Sequence, residues 1–367
     1  MKVLCFIDDL RSGGAQRQLM VLARDFKKDG HEVHVFFYVP HFYYGEFLKE
    51  HDIPFTYIKT DSAFSRLFKV RSVIRKLNPD VVIAFMAAPA MIAEFAGLPF
   101  KRWKLIVGER SADPKILKEP RSRFIRFTHF LADYIVSNSR SNINIILKVN
   151  PYLPKRKLRI IYNSLDLDKF KPSPEYVFRG DGVLKVIVPA TYRKLKNIIG
   201  LIEAIALLDG EQRKGLRIDW FGEKNYDTHF DNVLRDAELL IEKYDLGKTI
   251  ILNDVEKDIA GKMVHYDAVG LFSVYEGLPN AVCEGMACGK VVISSSVSDI
   301  PDFIHHGQNG FLCDPHDIYS MKKAFEDALA IGPNQLKQMG SHNRTYAEEN
   351  FDGKKVYKQY LNLIKEN

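Results

Sequence analysis

Two doubly wound α/β halves, each a parallel sheet with helices on both faces, are what the 367 residues predict. Three observations carry that reading. Short apolar runs alternate with longer amphipathic ones, the pattern of parallel strands joined by crossover helices. The alternation breaks once, at 171–182 (KPSPEYVFRGDG), where two prolines and two glycines sit without pattern, and then restarts. The charge divides at the same place. Residues 1–175 carry 30 Lys and Arg against 18 Asp and Glu, a net +12, whereas 176–367 carry 23 against 28, a net −5. We therefore expect Rossmann-like domains over 1–175 and 176–345.

The elements follow in order. Residues 2–7 read as a buried strand. Over 16–29 Leu19, Leu22, Ala23 and Phe26 fall on one helical face, and Gly30 stops the helix. Strands are expected at 32–38, 81–85, 104–107 and 134–137, and a helix over 64–77 ended by Asn78-Pro79. After the break, strands are expected at 185–188, 217–221, 249–252, 268–273 and 291–294, with helices over 198–208 and 232–244. Val356, Tyr360 and Leu363 give 354–365 an amphipathic helical spacing.

Composition narrows the class. With 46% hydrophobic and 27% charged residues the chain is globular. Cys5, Cys283, Cys288 and Cys313 form no CxxC pair and read as reduced thiols. The opening MKVLCFIDDL meets acids at residue 8 and is too short for a signal-peptide core. The longest apolar run, 81–93, falls short of the roughly 20 residues that span a bilayer. These readings place the protein in the cytoplasm. The basic first half attracts something anionic, either an acceptor or the inner leaflet of the membrane, on which the protein would sit peripherally. Residues 101–126 alone hold nine basic residues and three acids. Trp103 and Phe124 are too sparse there for a base-stacking platform, so nucleic acid is not an expected partner.

Ligands of doubly wound sheets sit at the carboxyl ends of the strands. At one such end lies residues 274–289, VYEGLPNAVCEGMACG. Glu276 stands at the strand end, Gly277, Leu278 and Pro279 make the turn, Asn280 reads as the N-cap, and Gly289 stops the helix. A helix start suits a phosphate or sugar hydroxyls. Glu284, four residues after Asn280, could grip a ribose diol, or the two carboxylates could be ordinary first-turn acids. Gly13-Gly14 could bring backbone close to a phosphate or make a plain tight turn. Arg193 and Lys196, three apart after a strand, could hold a diphosphate or be a surface pair. Glu109-Arg110, at another strand end, could touch substrate or form an internal salt bridge.

These segments resemble the retaining glycosyltransferases of GT-B fold, family 4. Glu276 and Glu284 make the E-x7-E pattern, and EGLPNAVCEGMACG is similar to that family's EGLPNVLLEAMACG. Residues 291–302 (VVISSSVSDIPD) resemble PVVATDVGGIPE, with Ser298-Asp299 for the glycine pair, Asp302 for glutamate and Lys290 for the proline. Residues 12–17 (SGGAQR) are similar to GGAER, 162–170 (YNSLDLDKF) to NGVDLDRF, and 190–197 (ATYRKLKN) to ASFRPVKN. Residues 108–114 (GERSADP) resemble the SERNDP of a subset that builds bacterial surface glycans, often from UDP-linked N-acetylhexosamines.

The resemblance implies a GT-B protein with its site in the interdomain cleft and a C-terminal helix, 346–367, crossing back to the first domain. It implies transfer of a hexose or N-acetylhexosamine from a UDP-linked donor to a glycan or lipid-diphosphate-linked acceptor in surface-polysaccharide synthesis, with retention of configuration. Arg193 and Lys196 would grip the donor diphosphate, Glu276 would lie near the reacting carbon, and Glu284 would hold the ribose. Backbone N–H groups of Gly277, Leu278, Pro279 and Asn280, with Gly13 and Gly14, would bind the donor, and Glu109 and Arg110 the substrate. No cofactor or metal is implied; Asp166-x-Asp168 belongs to the linker segment. Many members carry a histidine where this chain has Met86, and His129 reads as a helix-surface residue. The missing histidine and the changed Ser298-Asp299 leave room for a non-catalytic nucleotide-sugar-binding or scaffold protein. A nicotinamide oxidoreductase fails on sequence: RSGGAQRQ is no GxGxxG, and Val39-Pro40 supplies no acid after the second strand.

Overall fold

A computed structural model describes residues 1–224 and 232–366. They form two compact units. Met1–Ser164 joins the C-terminal segment from Lys354, and Leu165–Gly353 makes the other.

Among the described residues the first unit has seven strands: β1 (Lys2–Phe6), β2 (Glu32–Phe37), β3 (Phe55–Tyr57), β4 (Val81–Phe85), β5 (Lys104–Glu109), β6 (Tyr134–Ser137) and β7 (Leu158–Ile160). All pair in parallel, in the order β3-β2-β1-β4-β5-β6-β7. The continuous apolar runs serve a sheet covered on both faces, and alternate residues part to either side. Val3, Cys5, Val81 and Ile83 face the helices Gly14–Lys28 and Gly353–Lys365, which add Leu19, Phe26, Val356 and Tyr360. Leu4, Phe6, Val82 and Ala84 face the helices Ala63–Leu77 and Ala87–Ala96, which add Val70, Ile74 and Ala93.

The second unit has β8 (Leu184–Pro189), β9 (Leu216–Phe221), β10 (Ile250–Asn253), β11 (Ala268–Leu271), β12 (Val291–Ser295) and β13 (Gly310–Cys313), all parallel in the order β10-β9-β8-β11-β12-β13. Val186, Val188, Trp220 and Ile293 pack with the helices Ile198–Ala206 and Ile318–Ala330. On β11 the helix Asn280–Ala287 lies very close: a Cβ on Gly285 would meet Val269 Cγ1 at 2.2 Å. The GT-B class is thus the observed one, two parallel α/β units.

Differences from the expected elements have local causes. The edge strands β3, β7 and β13 are three or four residues long and carry too little pattern to read. The apolar run 81–93 divides into β4 and the helix Ala87–Ala96, with Met86 between them at φ +77°. The C-terminal helix expected over 346–367 is two helices, Pro333–Asn350 and Gly353–Lys365. They separate at buried Phe351, whose carbonyl accepts from Leu165 N–H at 2.8 Å. Arg344 holds the carbonyl of Phe170 at 2.8 Å. Residues 165–175, expected in the first domain, thus belong to the second unit. Asn367 lies outside the described residues. No described helix is long and apolar enough to cross a membrane. All four cysteines are free and buried, and burial pushes the Cys5, Cys288 and Cys313 thiols up to about 12.

Candidate active site

In the second unit the carboxyl ends of β8 and β11 lie side by side, because these strands pair. The segment after β8 is held from below. Trp220 Nε1 donates to Ala190 O at 2.6 Å, and the Tyr192 hydroxyl donates to Asn253 O at 2.7 Å. It turns through the short helix Lys194–Lys196, and Asn197, at φ +58°, closes the turn by donating to Pro315 O at 2.8 Å. Val274 N–H bonds Leu195 O at 2.9 Å and locks this turn to the segment leaving β11.

Those anchors set one constellation. Lys196 Nζ lies 2.5 Å from Glu276 Oε1, and the Ser273 hydroxyl donates to the same oxygen at 2.6 Å. Both charged side chains stay partly open, 21% exposed for Lys196 and 14% for Glu276. Arg193 is exposed on the same turn. A half-open ammonium–carboxylate pair at a strand end can bind an anion through the lysine while holding the carboxylate's direction. Ser273 escaped the sequence reading. Its position three residues before Glu276 was the only signal.

The turn after Glu276 differs in detail from expectation. Pro279, not Asn280, is the N-cap, and no side chain caps the helix. Proline has no N–H, so the donors expected over 277–280 reduce to Gly277, Leu278 and Asn280. Val282 and Cys283 N–H already bond Pro279 O. Ser298 adopts φ +54°, a region glycine occupies freely, and its hydroxyl donates to Gly277 O, pinning the turn from the next loop. Glu284, in the second helical turn, is only 6% exposed.

In the first unit Gly13 caps the helix Gly14–Lys28, with no side-chain cap bond. A Cβ at Gly13 would meet Gln16 Oε1 at 2.3 Å. Glycine lets Gln16 fold back and donate to buried Asp9 at 2.8 Å, a bond that Asp9 shares with Arg11.

Glu109 and Arg110 resolve toward the internal reading. Glu109 is 2% exposed; one oxygen accepts from Arg126 Nη2 at 2.8 Å and the other faces His129 Nε2 at 3.2 Å. His129 Nδ1 lies 2.8 Å from Glu94, whose second oxygen accepts from Thr128 at 2.6 Å. All four carboxylate oxygens are thereby engaged. His129 is fully buried, not the helix-surface residue expected, because the short helix Thr128–Leu131 turns it inward onto the two carboxylates. Burial alone would lower its pKa, but Glu94 and Glu109 outweigh burial and raise it to about 9. Burial acts to raise the Glu109 pKa, yet His129 and Arg126 hold it below the usual range. Arg110 stacks 4.0 Å over Phe85, donates to Asn163 Oδ1 at 3.1 Å and to the Tyr360 hydroxyl at 2.6 Å. It ties the helix Gly353–Lys365 to the strand ends.

Comparison with known proteins agrees with this architecture. Residues 12–169 match the family model Glycosyltransferase Family 4, and residues 177–346 match Glycosyl transferases group 1. The chain is 23% identical over 359 residues to the N-acetyl-alpha-D-glucosaminyl L-malate synthase of Bacillus anthracis, covering 92% of this chain and 90% of that protein. It is 26% identical over 382 residues to a Campylobacter jejuni alpha-1,4-N-acetyl-D-galactosaminyltransferase named for a PP-undecaprenol-linked substrate, covering 100% and 99%. Among solved structures, Anabaena HepE in complex with UDP superposes with a TM-score of 0.86 at 18% identity, covering all of both chains.

Proposed function

The chain belongs to the group 1 and family 4 glycosyltransferases and is a GT-B transferase, and on that premise we propose that it moves a hexose or N-acetylhexosamine from a UDP-linked donor to a glycan or lipid-diphosphate-linked acceptor, with retention of configuration. The observation that carries the reading is the Lys196–Glu276–Ser273 constellation at paired strand ends. Two relatives named for N-acetylhexosaminyl transfer, one of them on a PP-undecaprenol substrate, support the sugar and acceptor classes. The UDP-bound structural neighbour supports the nucleotide.

In this proposal Lys196 and Arg193 neutralise the charge that grows on the diphosphate as the glycosidic bond breaks. Ser273 and Lys196 hold the Glu276 carboxylate toward the donor sugar, where it stabilises the oxocarbenium-like centre. Glu284 receives the ribose hydroxyls near the helix start. The new bond forms on the face the leaving group quits. No resident metal or cofactor enters the scheme.

Calorimetric titration of UDP, GDP and ADP into the wild type and Glu284→Ala tests the donor half. Selective UDP binding, weakened by the substitution, supports the reading; no binding of any nucleotide overturns it. The anomeric configuration of a product formed from a UDP-sugar, read by proton NMR, tests retention.

A further inference from the structure

The apolar side chains exposed on the two units differ in kind. Among the described residues, the exposed large apolar groups of the second unit are scattered and include no phenylalanine. In the first unit seven phenylalanines are exposed among the described residues; Phe42 stands apart between β2 and β3, and Phe64, Phe68, Phe100, Phe124, Phe127 and Phe130 are each between 49% and 78% exposed. Singly exposed apolar residues are ordinary; six phenyl rings in one region are not.

All six fall in one helical layer. The helix Ala87–Ala96 packs against both Ala63–Leu77 and Pro120–Phe127, and it covers one face of the first sheet together with Ala63–Leu77. Arg71 donates to Ala96 O at 2.8 Å and Arg75 to Phe100 O at 3.3 Å, so the loop bearing Phe100 lies along the helix bearing Phe64 and Phe68. Those two rings meet at 4.8 Å. Phe124 stacks on Phe95 at 6.5 Å, and Phe127 meets Phe130 at 5.9 Å. Two pairs of these exposed rings thus meet each other, and Phe100 is the most exposed of the six.

The same segments are cationic. The helix Ala63–Leu77 carries five Arg and Lys and no acid, and 115–126 carries five against Glu119 alone. Arg102, Lys118, Arg121 and Arg123 are exposed among the rings. Phenyl groups flanked by exposed cations match the boundary between acyl chains and anionic headgroups, where both contributions are favourable together.

We propose that this helical layer is the face by which the protein docks on an anionic lipid bilayer. The phenyl rings enter the acyl boundary while Arg102, Lys118, Arg121 and Arg123 meet lipid phosphates. The inference goes beyond the proposed transfer reaction and does not depend on it.

Vesicle flotation tests it, with phosphatidylcholine vesicles carrying roughly one third phosphatidylglycerol and with phosphatidylcholine alone. The wild type floats with the anionic vesicles at low salt and is released as salt rises. Phe100→Ser with Phe124→Ser and Phe127→Ser weakens that binding at least about tenfold. Arg121→Glu with Arg123→Glu does the same on anionic vesicles and changes nothing on the neutral ones. Unchanged circular dichroism melting shows that each variant is folded. Should the triple serine variant melt early, Phe100→Ser alone, at the most exposed ring, takes its place. Absence of wild-type binding to anionic vesicles at low salt overturns the proposal, as does equal binding by the variants. A dimer in sedimentation that the serine substitutions dissolve would assign the face to a second copy and overturn it too.

Discussion

Glu109 ends β5 and Glu276 lies in the segment that leaves the carboxyl end of β11, one in each unit, and the two have opposite fates. Glu109 is closed in: Arg126 and His129 occupy both oxygens, and Glu94 completes a buried set of two acids and two bases. Glu276 keeps a partly open carboxylate against a partly open lysine. A charge pair sealed from water stabilises only because all its members are present, whereas a half-open pair can exchange a partner for substrate. Glutamate at a strand end is therefore no sign of a site by itself. Its surroundings decide.

The comparison breaks most clearly through Glu109. Glu109→Ala leaves Arg126 buried without its carboxylate and His129⁺ with Glu94 alone, and should cost about 3–5 kcal/mol of stability by denaturant unfolding. A loss below about 1 kcal/mol would mean that the network is not closed as drawn. Glu276→Ala should do the reverse, lowering kcat about 10²–10³-fold with melting almost unchanged.

The pH dependence sharpens the contrast. His129 titrates higher folded, near 9, than its ordinary value of 6.5. Its contribution is full below 6.5 and is lost as pH rises through about 9. Glu109 is shifted down, so its contribution is present above the ordinary glutamate value and is lost as pH falls through its lowered folded value. His129→Gln should therefore flatten the alkaline fall of stability, measured by unfolding across pH 6–10.

Glu284→Ala should have a milder effect, raising the donor KM about tenfold while kcat falls less. A larger fall in kcat than for Glu276→Ala would exchange the two roles. Smallest of all is Lys290, which is 2% exposed and lies 3.9 Å over the Tyr176 ring. Burial lowers its pKa to about 8. Lys290→Met should gain about 1 kcal/mol near pH 7, and the gain should close toward pH 10, where the unfolded lysine also sheds its proton.

Much of the fold was legible, because long apolar runs and amphipathic spacings report strands and helices directly. β1, β2, β4 and β6 lie where those runs place them. The helix Ala63–Leu77 also announces its ends: Ser62 accepts from Ser65 N–H, and Asn78 takes the left-handed C-cap at φ +45°. The edge strands β3, β7 and β13 were not legible, since three or four residues show too little period. Nor was the division of the C-terminal region, which depends on what Phe351 and Leu165 meet far along the chain. Within the candidate site, Lys196, Glu276 and a helix starting near residue 280 could be read from residue types and spacing, but not that Pro279 leaves that start without a side-chain cap. Ser273 could not, because a serine gains meaning only when a carboxylate is placed against its hydroxyl.

By itself the sequence determined the two α/β units and the basic character of the first, and it singled out Lys196 and Glu276. Hydrophobic period, breaker residues and charge are local properties of a chain, so they survive without coordinates. Tertiary structure alone decided that Glu109, Arg110 and His129 act as internal ties, that Lys196 reaches Glu276 across 80 residues, and that six phenylalanines face outward together. Burial and partnership arise between segments distant in sequence, and they set whether a charged or aromatic side chain holds the protein together or meets something outside it.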